Sequence, residues 1–534
     1  MERPPNLPQQ LPNHCKNLTH LHHSPRLYKL RSNQFYSNKM QSTTILVALS
    51  AFTAFIYFLA EYFSKKQRLL RFHAAKLQGP PALPLIGSAY YLFGSNKSIV
   101  NNVIHLVKKY KSPWKIWLGR QLYIVVTEPE DIEVVLNKAL EKAENYNFLA
   151  CLLQEGLFTG PVEKWKRHRK VILSTFSMPI LKSFVEIFSE NSLRMLPKLD
   201  KFVGKGTFDV CPILTNTALE ITCETAMGTK IYEQAHSDYA YNLSKALELV
   251  FMRMFQYWLH PNFIWSLSIY SKQLKQLSKQ LEIFVQGIVT EKKVQYRDKK
   301  HDLCLETKRR KCFIDHLIEM SEDDNWHDHE LLEEAQTMVA AGSESLGSVK
   351  SFTLIMLGMH PLIQDKVYNE MYNIFGPSDR TVTPDDLTEM TYLDMVIKET
   401  LRLFPVTAAV GRRVSQDIVT DRYTLPEGCE CIVSILSAHR NPKIWPKPLD
   451  FNPDRFLPEE VAKRHPYSYL PFSNGPRNCI GFKYAMMAIK TVISTIVRRY
   501  KISTEFKSVP EIEFSPGVVL KSRKGYRTQL ESRC

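Results

Sequence analysis

Near the end of the chain, a short loop presents one cysteine at the start of a long apolar helix. Residues 472–481 read FSNGPRNCIG, and the periodic apolar stretch 482–500 follows directly. Glycine tolerates a positive φ and proline fixes φ, so the loop has a defined shape that holds Cys479 in place. Exposed peptide N–H groups at the helix N-terminus stabilise a thiolate and can hydrogen-bond its sulfur. The loop therefore favours a fold in which a helix begins directly behind a thiolate.

Other residues of the loop fit a flat, anionic cofactor. Gly475 permits a positive φ, and Gly481, which lacks a side chain, lets the helix approach a planar group closely. Arg477 lies two residues before Cys479, where its guanidinium can meet a propionate. Together with Phe472, these residues match the Phe-x-x-Gly-x-Arg-x-Cys-x-Gly signature of the cytochrome P450 superfamily at every fixed position. The loop therefore resembles a haem-thiolate site, and an inert buried cysteine before a core helix is the alternative.

A second motif, nearer the N-terminus, supplies groups for the haem propionates. Trp165 and Arg169 are four positions apart on a predicted helix and lie about 40° apart on one face. By resemblance to the superfamily, this Trp-x-x-x-Arg helix binds a propionate, and Arg412 is similar to another propionate ligand. A basic face turned away from the haem is formed by Lys166, Arg167 and Lys170. The resemblance implies that this face docks an acidic electron donor, although a solvated charged face explains it equally well.

A carboxylate and two arginines form a third motif. Glu399 and Arg402 are three residues apart in the apolar helical stretch 395–404, where burial requires the two charges to pair. Arg455, within the sequence FNPDRF, resembles the third member of a triad of the superfamily. The resemblance implies a structural role for this triad, which stabilises the region below the haem.

The apolar helical stretch 333–349 carries an acid and an alcohol at its centre, Glu344 and Ser345. Gly342 weakens a helix and Ser345 can bond back to a carbonyl, so we expect a local distortion with room for water. Splitting bound O₂ requires two protons at the distal oxygen, which such a pair can relay from solvent. The superfamily usually has threonine where this chain has Ser345, so the hydroxyl is held less firmly and oxygen activation is leakier. Tolerated polar residues in a buried helix are the alternative.

Several segments resemble the fourth clan of animal P450 enzymes, particularly its insect members, over residues 79–520. They are WKRHRK at 165–170, ITCETAMG at 221–228 and FQYWLHP at 255–261. Many fatty-acid hydroxylases of that clan carry a glutamate that esterifies the haem at the position of Ala341. The resemblance therefore implies haem b that is not covalently attached, and it weakens the case for terminal fatty-acid hydroxylation.

The periodicity of the chain predicts a mainly α fold with minor β structure, and the resemblance names it as the cytochrome P450 fold. Helices are predicted over 98–111 and 482–500, and a 3.6-residue apolar pattern dominates 160–400. A hairpin around Gly119 is predicted over 114–126, and strands over 406–436. In the 534-residue chain, residues 79–534 have no flexible linker and are predicted to form one haem-binding domain.

Residues 40–78 are predicted to form a membrane anchor with a basic flank. The segment 45–63 is apolar except for Glu61, and as a helix it spans about 28 Å. Five Lys or Arg residues follow within 64–78, so much of the net charge of +16 lies beside this segment and favours a membrane surface over nucleic acid. We expect one uncleaved transmembrane helix in the endoplasmic reticulum, with the catalytic body in the cytosol. A buried core helix and a cleaved signal peptide are the alternatives.

Residues 1–39 carry six Lys or Arg residues against one glutamate, which competes with that orientation. One hypothesis is an upstream extension from a mispredicted start, with Met40 as the true first residue. The other is an Arg/Lys-rich targeting segment.

These features predict a haem-thiolate monooxygenase that inserts one oxygen atom of O₂ into an apolar substrate, such as a lipid, hormone or xenobiotic. The resemblance implies electrons from NADPH through NADPH-cytochrome P450 reductase, with cytochrome b5 as a second donor. The apolar run 251–267 is expected to lie over the substrate channel and to dip into membrane lipid, unless it is ordinary core. A haem-thiolate isomerase or dehydratase would need neither O₂ nor external electrons. A non-catalytic haem carrier or sensor would not need the basic face.

Overall fold

The computed structural model describes residues 43–57, 64–231, 233–301, 311–323, 326–515 and 517–533. The chain divides into two units, 1–68 and 69–534. The predicted extension 1–39 lies outside the described residues.

Helices dominate the second unit. Together with the N-terminal helix, the α-helices are α1 Thr43–Tyr57, α2 Lys65–Ala75, α3 Asn96–Lys109, α4 Pro129–Lys138, α5 Ala150–Leu153, α6 Val162–Thr175, α7 Met178–Ser183, α8 Val185–Asp200, α9 Cys211–Ala226, α10 Glu233–Phe255, α11 Asn262–Leu267, α12 Ile269–His301, α13 Phe313–Asp323, α14 Asp328–Met359, α15 Pro361–Phe375, α16 Asp386–Glu389, α17 Thr391–Leu403, α18 Ile435–Ala438, α19 Pro458–Ala462 and α20 Phe482–Arg499. Short 3₁₀ helices cover Ala89–Leu92, Glu144–Leu149, Tyr257–Leu259, Pro453–Phe456, Pro466–Ser468 and Val509–Glu511.

The strands are few and short. They are β1 Trp114–Leu118, β2 Gln121–Val126, β3 Glu141–Lys142, β4 Phe208–Asp209, β5 Val410–Arg413, β6 Ile418–Val419, β7 Thr424–Leu425, β8 Glu430–Val433, β9 Tyr500–Thr504, β10 Phe514–Ser515, β11 Lys521–Ser522 and β12 Arg527–Ser532. The largest sheet has the order β1-β2-β8-β5-β3, and a second has the order β4-β12-β9. Two-stranded sheets pair β6 with β7 and β10 with β11.

The centre of the fold is α14, a 32-residue helix about 48 Å long. It begins with a capping box, in which the Glu330 carboxylate accepts from the backbone N–H of His327. It ends before Pro361, whose ring cannot continue the same helix. Most of its residues are buried, because α8, α9, α17 and α20 contribute side chains to the core cluster that surrounds it.

The predicted mainly α fold with minor β structure is confirmed. The hairpin predicted over 114–126 is β1 and β2, with Trp114 opposite Val125 and a positive φ at Gly119. The predicted helix at 98–111 is α3, and that at 482–500 is α20. Strand β3 has only two residues, both charged, which is too short for any periodic pattern, so its pairing with β5 depends on tertiary contacts alone.

Part of the predicted anchor is helical. Residues 45–57 belong to α1, an apolar helix with exposed side chains, while 58–63 lie outside the described residues. Within the described ranges, no single helix is long and apolar enough to cross a membrane, although two bent pairs of consecutive helices pass by length and composition alone. The transmembrane anchor therefore stays a prediction.

Candidate active site

The cysteine loop closes on itself through backbone hydrogen bonds. The N–H of Cys479 donates to the carbonyl of Phe472 at 2.9 Å, and that of Asn478 donates to Gly475 at 3.2 Å. Gly475 has φ +71°, and a Cβ there would lie 2.7 Å from the carbonyl oxygen of Leu136. Glycine is therefore required at this position both by the backbone and by the neighbouring α4.

The thiol of Cys479 faces an internal opening. The residue is exposed by surface area, yet withdrawal from bulk solvent raises the pKa of its thiol. The N–H of Gly481 and the positive charge of Arg169 act in the opposite direction and lower the pKa. The N–H donor of Gly481 and the charge of Arg169 therefore both favour the thiolate, as the position before α20 predicts.

Gly481 caps α20 with an ordinary φ of −90°. A Cβ at this position would meet only Phe176, at a normal contact distance of 3.6 Å. Among the described residues, neither the backbone nor a neighbouring side chain requires a glycine here. A flat cofactor lying against the start of the helix explains the absence of a side chain.

Trp165 holds two of the predicted propionate ligands. It is buried on α6, and its ring lies between the guanidinium groups of Arg477, at 4.8 Å, and Arg169, at 5.9 Å. Arg169 donates to the carbonyl of Asn478 at 2.8 Å, and Arg477 donates to the carbonyls of Leu140 and Gly160, both at 2.9 Å. These bonds fix α6 against the cysteine loop.

Two further cations lie beside Arg477. Arg412 is buried on β5, and among the described residues its Nε has no hydrogen-bond partner. Lys142 lies directly opposite Arg412 in the β3–β5 register, with its ammonium over the rings of Tyr146 and Phe158 at 4.8 and 4.6 Å. No sequence pattern predicts a role for Lys142, because a two-residue strand has no periodicity. It is the member of this cluster that sequence reasoning missed.

The four cations Arg169, Arg412, Arg477 and Lys142 destabilise one another in the absence of an anion. Burial and then the charge of Arg412 lower the pKa of Arg477 to about 10. Burial, Arg412 and Arg477 together hold the pKa of Lys142 well below its usual value. Buried charges of one sign call for a compensating ligand, and two propionates beside a planar ring fit this cluster.

The acid and the alcohol of α14 point to different neighbours. Ser345 is half-buried, and its hydroxyl donates to the carbonyl of Ala341 at 2.6 Å, as predicted. The Glu344 carboxylate is buried and forms an ion pair with Lys521 of β11. Ala341 is exposed in the middle of this otherwise buried helix, so it also faces an internal opening.

The prediction of a local distortion in this helix is wrong. The helix runs without a break from Asp328 to Met359. A Cβ on Gly342 would lie 2.7 Å from Oγ1 and 2.8 Å from Cγ2 of Thr222 on α9. Gly342 therefore allows two helices to pack closely and does not open the backbone.

The three members of the predicted triad meet. Arg402 donates to both oxygens of Glu399 at 2.7 and 2.8 Å, and Nε of Arg455 lies 3.4 Å from the same carboxylate. Arg402 also donates to the carbonyls of His439, Pro448 and Asp450. The buried pair thus holds the chain segment before the cysteine loop against α17.

The predicted basic face needs a correction. Arg167 forms an ion pair with Glu330, a residue of α14, and the neighbouring His168 is buried between Glu330 and Glu334. This part of α6 therefore contacts α14, and Arg167, although its side chain is 47% exposed, is partly neutralised by Glu330. Lys166 and Lys170 remain exposed.

A helical fold that presents an accessible cysteine at a helix N-terminus, beside a cluster of four cations of which Arg412 and Arg477 are buried, defines a haem-thiolate protein. The family model described as Cytochrome P450 matches residues 77–529. The chain is 38% identical to cytochrome P450 4c21 of Blattella germanica over 475 residues, which covers 86% of this chain and 94% of the relative.

Two other relatives come from a fly and from man. Identity is 34% with cytochrome P450 4c3 of Drosophila melanogaster, covering 90% of this chain and 93% of the relative. It is 33% with human cytochrome P450 4V2, covering 85% and 89%. The chain belongs to the cytochrome P450 family, within its fourth clan, and is a haem-thiolate monooxygenase.

Proposed function

We propose that this monooxygenase hydroxylates apolar, lipid-soluble molecules at the endoplasmic reticulum membrane, with electrons from NADPH supplied by a reductase. The reaction converts R–H, O₂, NADPH and a proton to R–OH, water and NADP⁺. The observation that carries the proposal is the accessible Cys479 thiol beside a cluster of four cations, of which Arg412 and Arg477 are buried.

Haem b, held without a covalent bond, would supply the oxygen chemistry when it is bound. Cys479 would be its ligand, and Arg169, Arg412, Arg477 and Lys142 would hold its propionates. The uncharged Ala341 offers no carboxylate for an ester. Glu344 and Ser345 would move protons inward from solvent, and the burial of Glu344 in α14 keeps bulk water from this carboxylate.

Electron donors would dock on the side of α6 that carries Lys166 and Lys170. Both ammonium groups are exposed, and a reductase or cytochrome b5 with acidic residues complements them. Pairing of Arg167 with Glu330 leaves this surface less positive than the sequence predicts.

Support for a lipid-soluble substrate comes from the segment between α10 and α12. Phe263 is 74% exposed, Leu267 72% and Ile269 75%, and Trp258 is also exposed. Exposed apolar residues clustered in one segment suit contact with a membrane, from which substrates would partition. The basic flank after α1 favours a cytosolic body.

Spectroscopy of the reduced protein with carbon monoxide tests the proposal. The wild type should show an absorption band at about 450 nm, which is typical of haem with a thiolate ligand. The Cys479→Ala variant should lose this band, whereas the exposed Cys151→Ala control should keep it. An unchanged spectrum for Cys479→Ala would rule out Cys479 as the ligand of the haem iron. Absence of O₂ uptake that depends on NADPH and reductase rules out the proposed reaction.

A further inference from the structure

Glu344 and Lys521 form a contact that joins three elements of the fold. The buried carboxylate of Glu344, on α14, pairs with the ammonium of Lys521 on β11. The same ammonium donates to the hydroxyl of Ser244 on α10 at 2.7 Å. Lys521 thus connects the central helix α14, the β10–β11 hairpin and helix α10.

A small cleft opens at this junction. It is lined by Ser244 and Glu248 of α10, by Gly517 and Val518 of the hairpin loop, and by Glu344 and Lys521. The side chain of Lys521 is 26% exposed, whereas that of Glu344 is 5% exposed. The lysine therefore lies between solvent and the buried acid.

We propose that Lys521 is a positioning residue for Glu344, and that protons enter α14 through this cleft between α10 and the β10–β11 hairpin. The ion pair with the ammonium holds the carboxylate at the cleft, where it can accept a proton from water and pass it inward. Ser345, the next residue on α14, then lies on the inner side of the relay. This inference rests on the proposed monooxygenase function.

The contact itself can be tested without turnover. Hydrogen–deuterium exchange of the full haem-loaded protein should show faster exchange around Ser244 and in residues 517–526 of Lys521→Met than in the wild type. Lys524 is exposed on the same hairpin, and Lys524→Met is the matched control that should exchange like the wild type. Equal exchange in Lys521→Met and the wild type overturns the positioning role.

The relay is tested by the ratio of product to NADPH consumed. Lys521→Met should lower this ratio about tenfold, less than the loss of about 10²-fold expected for removing a general acid. The solvent deuterium isotope effect on product formation should rise, and Lys521→Arg should restore most of the ratio. In a Glu344→Gln background, Lys521→Met should cause no further loss, because the lysine acts only through this carboxylate.

Two results would overturn the proposal that protons enter through this cleft. One is wild-type coupling in Lys521→Met, and the other is a full additional loss when Lys521→Met is combined with Glu344→Gln. If the wild type shows no product that depends on NADPH and O₂, the proposed function fails instead. The exchange experiment still decides the positioning role in that case.

Discussion

At the scale of single residues, the hydroxyl of Ser345 has one fixed contact in the structure, the carbonyl of Ala341 one turn back. Serine occupies more χ1 rotamers than threonine, so this contact is readily lost. A relay that depends on it would lose part of the reducing equivalents as hydrogen peroxide.

We expect Ser345→Ala to lower product formation by about 10²-fold, because a relay hydroxyl is lost. Peroxide per NADPH should rise while the carbon monoxide spectrum persists. Ser345→Thr should raise the ratio of product to NADPH, since the methyl group restricts the hydroxyl to fewer rotamers. Ser343→Ala is the matched control, because this buried serine also bonds back to a carbonyl, that of Val339. Wild-type coupling in both Ser345 variants would show that the serine is structural.

Lys350 provides a prediction about pH and stability. It is buried in α14, where its ammonium donates to the carbonyl of Leu214 at 3.0 Å. Burial lowers its pKa from 10.5 to about 7, against the raising effect of Glu220 and Cys211. Between these two pKa values the unfolded chain binds more protons than the folded protein. The contribution of Lys350 to the free energy of unfolding therefore rises as pH increases from about 7 to about 10.

The variant Lys350→Met should remove this dependence, which amounts to at most about 1.4 kcal/mol per pH unit. Thermal unfolding at a series of pH values from about 7 to about 10 measures it. The exposed Lys443→Met control should keep the wild-type slope. An identical slope in Lys350→Met would mean that this lysine is charged in the folded protein.

At the scale of elements, close packing of α14 against α9 depends on small residues at the points of contact. A Cβ at Gly342 would meet Thr222, and one at Gly347 would lie 2.3 Å from Oγ1 of Thr215. The gain in helix propensity that alanine offers, about 1 kcal/mol, competes here with the cost of overpacking. Glycine at these two positions is therefore explained by the close packing of α14 against α9, and not by helix propensity.

We therefore expect Gly342→Ala to lower the free energy of unfolding by about 1–3 kcal/mol. The double variant Gly342→Ala with Thr222→Ala should recover most of it, because the second change removes the clashing atoms. Gly287→Ala is the matched control, since a Cβ there meets nothing within 4 Å, and it should stabilise α12. A Gly342→Ala variant as stable as the wild type, by thermal unfolding, would contradict this explanation.

At the scale of the whole molecule, the prediction concerns the topology of the chain in the membrane. The apolar helix α1 and the basic residues that follow it predict a single anchor with the body in the cytosol. Protease added to sealed microsomes should digest the body, and alkaline carbonate should leave the protein in the membrane. A protected body, or release by carbonate, would reject this topology. A chain that starts at Met40 serves as a control for the effect of residues 1–39.

The sequence by itself determined the mainly helical fold, the cysteine loop and the pairing of Glu399 with Arg402. Each of these is local: a period of 3.6 residues, a run of ten residues, or charges three residues apart that cannot be buried unpaired. Arg455, the third member of the triad, was predicted only from the resemblance to the superfamily. Tertiary structure alone decided which groups meet across distant segments. The pairing of β3 with β5 placed Lys142 beside Arg412, and α14 drew Arg167 away from the basic face.

The same limit explains the error over Gly342 and the missed partner of Glu344. When only its own segment is considered, a glycine within a helix predicts a weak point in that helix. The position of Gly342 is instead explained by its close contact with Thr222 on α9. Lys521 is 177 residues from Glu344 in the chain, and its two-residue strand has no periodic signal. Contacts between residues so far apart depend on how helices and strands pack, which no local pattern specifies.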